Sequence, residues 1–181
     1  MPLNINQIAN VSTPGYASGR YYTNCFMHNT ITQTLAANNL YYLPINISTR
    51  VQLAAIGARV NIAFTGTCRL GVYNNLNGSP NTLLFDAGTI NCNPSGAKEI
   101  ELTNTFLSAG WYWFTIFAGC NATFDSSNGM LTNGIIGNSS INTSQVSGIR
   151  ATLTYGVLPT TAVLTNIVYA ASVPIIWFKA A

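Results

Sequence analysis

Charged side chains are scarce in this chain: seven Lys or Arg and four Asp or Glu make up 6% of its 181 residues. An average soluble domain carries about 25%. The net charge is only +3, and the seven basic residues are scattered, with no two adjacent. Because a nucleic-acid interface needs a clustered basic stripe, the sequence predicts no nucleic-acid partner.

Long apolar segments are also missing. No apolar run approaches the ~20 residues of a membrane helix, so we expect no membrane insertion. The first seven residues, MPLNINQ, lack the basic and apolar regions of a signal peptide, and we expect synthesis in a cytoplasm. Uncharged polar residues replace the charges: 22 Asn, 21 Thr and 13 Ser occur beside 48% hydrophobic residues. This composition predicts a folded globular domain and not a disordered chain.

Titratable and metal-binding side chains are too few to form a recognisable reactive site. There is one histidine, and the four cysteines lie 43, 24 and 28 residues apart without a CxxC motif. We therefore expect no catalytic residue, no metal and no cofactor, and interpret the cysteines as reduced, small apolar side chains. The cysteines are Cys25, Cys68, Cys92 and Cys120, with His28 near the first.

Two neighbouring acidic residues allow a functional and a structural interpretation. Glu99 and Glu101 lie two apart in an alternating, strand-like pattern. A glycosidase uses a pair of carboxyl groups roughly 5–10 Å apart, which is the functional alternative. A solvated strand face beside Lys98 is the simpler interpretation, and we expect the protein not to be an enzyme.

Strand signals dominate the sequence. Stretches rich in β-branched and aromatic residues recur between clusters of Asn, Gly, Pro and Ser that favour turns. The sequence predicts an all-β, antiparallel β-sandwich, jelly-roll-like, over residues 23–181, with an extended N-terminal arm over 1–22. The polar composition of residues 121–147 predicts a long surface excursion or a segment that packs against a partner. The predicted strands are 24–34, 40–47, 51–65, 68–73, 83–85, 98–102, 111–117, 149–155 and 173–178.

Aromatic residues offer candidates for ligand binding. The run from Trp111 to Phe117 is apolar on both faces, so we predict a central strand buried on both sides; a sugar-stacking platform is the alternative. Tyr21-Tyr22 and Tyr41-Tyr42 are better candidates for exposed aromatic rings. The ligand-binding candidates are these last two tyrosines and the polar residues of one predicted turn: Tyr41, Tyr42, Asn74, Asn75 and Asn77.

The low charge also bears on assembly, because monomeric proteins usually carry surface charge for solubility. The segment 163–169 and the tail 173–178 offer apolar area beyond what one sandwich core needs. We therefore predict a homo-oligomer, with a trimer favoured. The predicted self-association residues are Tyr169, Ile175, Trp177 and Phe178.

Four sequence blocks follow one another in a distinctive order between residues 38 and 120. They are RLGVYNNLNGSP (69–80), LLFDAG (83–88), KEI (98–100) and LSAGWYW (107–113), preceded by YLPI (42–45). This order resembles a β-sandwich module of tailed-bacteriophage virion proteins. The resemblance implies a jelly-roll-like fold, a structural role in the virion, and neither catalytic residues nor a cofactor.

Three hypotheses for function follow. The first is a tail-fibre or receptor-binding component on the surface of the phage virion, whose partners are copies of itself, other virion proteins and a host surface glycan. The second is a capsid cement or decoration protein that stabilises the shell; the short chain favours it, since tail fibres usually need a longer shaft. The third is a free carbohydrate-binding module, which would need exposed aromatic side chains.

Overall fold

The computed structural model describes residues 15–23, 29–128, 136–137, 140 and 146–181, without the side chains of Asn29 and Asn128. These ranges contain thirteen strands and no helix, and accordingly none that is long and apolar enough to cross a membrane. The strands are β1 (Tyr21–Tyr22), β2 (Asn29–Thr34), β3 (Asn39–Ile47), β4 (Val51–Ile62), β5 (Thr67–Leu76), β6 (Ser79–Asn91), β7 (Gly96–Leu107), β8 (Gly110–Ala118), β9 (Thr123–Asn128), β10 (Gly148–Thr152), β11 (Val168–Ala170), β12 (Ser172–Pro174) and β13 (Ile176–Ala180).

The strands form two antiparallel sheets. The seven-stranded sheet has the order β1-β13-β4-β9-β12, with β7 also paired to β4 and β2 also paired to β9. The six-stranded sheet has the order β11-β10-β3-β8-β5-β6. The predicted all-β antiparallel sandwich is confirmed, while the jelly-roll topology stays a prediction.

The main core lies between the two sheets. Alternation along each strand sends every second side chain into it, as in other sandwiches. On β5, Leu70 and Val72 point into this core, whereas Tyr73 belongs to a second cluster. On β8, Phe114 faces the main core and Trp113 faces the second cluster, and both are fully buried. The prediction that β8 is a central strand buried on both sides is therefore confirmed.

The second core covers the outer face of the six-stranded sheet. Its sheet side includes Tyr42, Tyr73 and Trp113, and residues of 153–167 without regular strand structure pack over them. We expected the apolar segment 163–169 to be surplus to a single core. Instead Val163 and Ile167 pack against the second core. The other large apolar side chains of the segment stay exposed, at 42% for Leu164, 46% for Val168 and 55% for Tyr169.

The described part of the predicted arm is packed on the sandwich. Tyr21 and Tyr22 form β1, which pairs with β13. The rings of Tyr16, Tyr22 and Phe178 form an aromatic cluster with centroids 4.9–5.6 Å apart. Residues 15–22 therefore belong to the folded domain, because their tyrosines bury area against it. Residues 1–14 of the predicted arm lie outside the described residues.

Other predicted boundaries also shift. The loop predicted around residues 74–80 is a two-residue hairpin turn, because Asn77 (φ 52°) and Gly78 (φ 80°) both take the positive φ values of a type I′ turn. This tight turn lets β5 and β6 extend much further than the sequence predicted. Within the predicted excursion 121–147, residues 123–128 form β9, paired with β2 and β4.

Candidate functional site

A groove of about 440 Å³ lies on the seven-stranded sheet. Its volume falls in the range of about 300–1,000 Å³ that is typical of small-molecule sites. The groove brings together exposed aromatic and charged side chains in a chain that has few charges. Its lining residues come from five strands: Tyr21, Gly57, Ala58, Arg59, Ala97, Lys98, Glu99, Asp125 and Trp177.

Strand register creates the central part of the groove. Trp177 on β13 is the partner of Gly57 on β4, and Gly57 is in turn the partner of Glu99 on β7. These three residues form one row across the sheet. A Cβ atom at residue 57 would collide with the Lys98 carbonyl oxygen. The glycine therefore permits the close approach of β4 and β7 at this row.

Tyr21 forms an aromatic wall beside this row. Its hydroxyl donates a hydrogen bond to Glu99 Oε2 at 2.7 Å, and the ammonium nitrogen of Lys179 lies 5.3 Å from its ring centroid. Its side chain is nevertheless 49% exposed. These contacts hold the ring in place before a ligand arrives, which lowers the entropy cost of binding.

The other polar part of the groove is an ion pair between β4 and β9. The Arg59 guanidinium lies 3.0 Å from Asp125 Oδ2, and Arg59 is the more exposed partner. Asn61 Nδ2 donates a second hydrogen bond to Asp125 Oδ1. The groove therefore offers guanidinium donors, carboxylate acceptors and two aromatic rings.

The predicted ligand-binding tyrosines are not in the groove. Tyr41 and Tyr42 are 2% and 0% exposed, because β3 lies inside the six-stranded sheet and both its faces are covered. Tyr42 also accepts a hydrogen bond from Val163 N. The prediction of an exposed aromatic pair at this position is wrong.

The predicted ligand-binding asparagines also lie elsewhere, at the β5–β6 hairpin. Asn74 Oδ1 accepts a hydrogen bond from Thr82 N, and Asn75 Oδ1 accepts one from Trp113 Nε1. Asn77 is exposed in the hairpin turn. Two of the three amides thus have structural hydrogen bonds of their own.

The predicted self-association residues have three different environments. Ile175 and Phe178 are buried within the chain itself, so they are not available for a subunit contact; this corrects the prediction. Trp177 is half-buried and lines the groove. Tyr169 is 55% exposed and lies on β11, an edge strand of the six-stranded sheet.

Sequence reasoning found parts of the groove without joining them. Tyr21 and Glu99 were considered separately, one as an exposed ring and the other as one of two neighbouring carboxylates. Gly57, Arg59 and Asp125 were missed as site residues. Only the pairing of β1, β13, β4, β7 and β9 brings these positions together, and no local sequence pattern indicates that pairing.

A cluster of cysteines is a further feature that the spacing did not reveal. The Sγ atoms of Cys68, Cys92 and Cys120 all lie within 4.8 Å of one another, and all three side chains are buried. The hydrogen bond with Cys68 and burial raise the pKa of Cys92, and burial chiefly raises the pKa of Cys120. A raised pKa disfavours the thiolate and hence nucleophilic reactivity. Cys25 and His28 lie outside the described residues.

Comparison with protein-family models gives no match to this chain, and comparison with curated proteins gives none either.

Proposed function

We propose that this chain is a non-enzymatic surface component of a tailed-phage virion, of the tail-fibre or receptor-binding type, which binds a host surface glycan in the groove. The observation that carries the proposal is the exposed Tyr21 ring and the Trp177 indole beside Glu99 and the Arg59–Asp125 pair. The order of the four sequence blocks and the low charge support the assignment to a virion.

The chemistry of a glycan suits these side chains. A sugar ring has an apolar face of CH groups, which packs on an aromatic ring, and an edge of hydroxyl groups. Hydroxyls donate to carboxylates such as Glu99 and accept from a guanidinium such as Arg59. Hydrogen bonds with ionised partners are about twice as strong as neutral ones. The neighbouring rings and charged groups would therefore bind both parts of the sugar.

A binding role fits the groove carboxylates better than hydrolysis does. Glu99 accepts a hydrogen bond from Tyr21, and Asp125 accepts hydrogen bonds from Arg59 and Asn61. These donors hold both carboxylates as fixed hydrogen-bond acceptors, which is the role that binding of a hydroxyl-bearing ligand needs. Assaying every bound glycan for cleavage tests this part of the proposal, and hydrolysis that is lost in Glu99→Gln would overturn it.

Calorimetric titration of the full chain with a panel of bacterial surface polysaccharides tests the binding site. We expect at least one polysaccharide to bind, and Tyr21→Ala and Arg59→Ala each to weaken its binding tenfold or more. Tyr169→Ala is the matched control, since Tyr169 is also a half-exposed tyrosine but lies outside the groove. Absence of binding, or equal binding by all the variants, would contradict the proposed site.

Labelling the chain in intact particles tests the proposed location. A receptor-binding component should be found at the tail, and the free protein should block adsorption of the phage to its host. A label spread over the shell would instead support a capsid cement or decoration protein.

One observation favours that second candidate. The edge strand β11 exposes Val168 and Tyr169, and an apolar edge strand is suited to pairing with another chain. A shell protein would use such edges between its copies, in agreement with the predicted trimer. If so, Val168→Lys should lower the mass measured by sedimentation, whereas Thr89→Lys, at an exposed position of the opposite edge strand β6, should not.

A further inference from the structure

The three clustered cysteines occupy neighbouring positions on three strands or strand ends. Cys68 lies near the start of β5, Cys92 follows β6, and Cys120 follows β8. Cys92 N donates a hydrogen bond to Gly66 O, which places Cys92 beside Gly66. Cys120 also lies against Gly66, because a Cβ atom at residue 66 would be 2.6 Å from Cys120 Cβ. A side chain at residue 66 would therefore clash with the cysteine cluster.

We propose that Cys68, Cys92 and Cys120 bind one soft divalent cation of the zinc type through three thiolates. Sulfur ligands select such metals, and a zinc–sulfur bond is about 2.3 Å long. Three sulfurs at this distance from one ion would lie roughly 3.8–4.0 Å apart. The Cys68 and Cys92 sulfurs are 3.4 Å apart, and no pair in the cluster exceeds 4.8 Å. The present sulfur separations therefore differ from those of a coordinated ion by less than about 1 Å.

Binding must displace the thiol protons. Three thiols lose three protons to solvent as three metal–sulfur bonds form, and a water molecule completes a four-coordinate site. The resulting centre has a charge of −1, from one divalent cation and three thiolates. The predicted absence of a metal is thus replaced by a proposal that does not depend on the groove.

Titration of the reduced full-length protein with Co²⁺ and Cd²⁺ under anaerobic conditions tests the site. We expect one ion per chain, thiolate-to-metal charge-transfer absorption, and a higher melting temperature with Cd²⁺, since a ligand that binds only the native state stabilises it. Cys92→Ser should weaken binding at least tenfold. Thr103→Ser, at an exposed position of β7 outside the cluster, is the control and should bind as the unmodified chain does.

A second measurement needs no variant. With Cd²⁺ bound, alkylation of Cys68, Cys92 and Cys120, followed by peptide mass spectrometry, should be slower than in the metal-free protein. Absence of charge-transfer absorption would overturn the proposal. So would a protein that is purified with a Cys68–Cys92 disulfide and binds no metal ion after reduction.

Discussion

Asparagine residues have two structural roles in this fold: they adopt backbone conformations with positive φ, and their side chains form hydrogen bonds. In the part of the chain that the structure describes, the four non-glycine residues with positive φ are all asparagines, at positions 38, 77, 104 and 166. Asparagine tolerates this conformation better than most residues because its short amide bonds locally. Other asparagine amides bind the backbone or a side chain within the fold, as Asn74, Asn75 and Asn121 do. The high asparagine content therefore has a structural role that composition alone did not identify.

Asn75 gives a direct test of this structural role. Asn75→Ala removes the acceptor of the Trp113 indole N–H, which belongs to a fully buried residue. Loss of a partner by a buried donor costs about 1–3 kcal/mol, and we expect urea unfolding to show a decrease of this size. Asn75→Asp keeps an acceptor oxygen and should recover part of the stability.

The exposed Asn77 provides the matched control. Asn77→Gly keeps a residue that accepts the positive φ of the hairpin turn, so the free energy of unfolding should change by only a few tenths of a kcal/mol. If Asn75→Ala left the free energy of unfolding unchanged but weakened glycan binding, the result would support the ligand-binding role that the sequence predicted for Asn75.

At the scale of elements, the outer face of β5 holds the segment that covers the second core. Arg69 forms an ion pair with Asp86 at 2.8 Å, and Asp86 also accepts a hydrogen bond from Leu158 N. Tyr73 donates a hydrogen bond to the carbonyl oxygen of Pro159 at 2.7 Å. The start of the first sequence block, RLGVY (69–73), therefore alternates residues that fill the main core with residues that face the covering segment 153–167.

Gly71 is the position where this element-level contact is tightest. A Cβ atom at residue 71 would collide with Leu158 Cδ1 and would lie 2.8 Å from the Phe85 carbonyl oxygen. The leucine can rotate but the β6 backbone cannot move easily, so we expect Gly71→Ala to destabilise the fold by about 1–3 kcal/mol. Hydrogen exchange should show faster opening of residues 155–163 in particular.

Gly156→Ala is the control within the covering segment itself. Nothing lies within 4 Å of a Cβ atom at this position, and its φ is not positive. We expect a neutral effect or a gain of up to about 1 kcal/mol, since alanine lowers the entropy of the unfolded chain. Equal destabilisation by both substitutions would mean that the segment is sensitive to any change, and that the Gly71 contact is not specific.

At the scale of the whole molecule, the sequence predicted the antiparallel sandwich but not the second core that covers one of its sheets. The apolar run from Trp111 to Phe117 identified β8 as a strand buried on both faces, which is local information. The sequence did not show that residues 153–167 cover the outer face of the six-stranded sheet, because nothing in the pattern of this segment indicates which residues it packs against. The groove depends on still longer connections, such as the contact between Tyr21 and Glu99, 78 residues apart.

The second core also makes the stability of the whole molecule depend on pH. Burial raises the pKa of Tyr42 from 10.0 to about 12, and burial, followed by the nearby Tyr42 and Asp86, raises the pKa of Tyr73. A group with a raised pKa in the folded state stabilises the fold fully below its unfolded pKa. That contribution is lost as the pH rises from about 10 through the folded value.

We therefore expect the free energy of unfolding to decrease by roughly 2–3 kcal/mol through Tyr42 alone between pH 10 and 12, since one pKa unit corresponds to 1.36 kcal/mol. Urea unfolding measured across this range checks the slope. Tyr42→Phe should be less stable at pH 8, because Val163 N loses its acceptor, yet should lose less stability above pH 10. Tyr169→Phe removes a hydroxyl from an exposed ring and should keep the slope of the unmodified chain. The same slope in all three proteins would show that alkaline unfolding begins outside the second core.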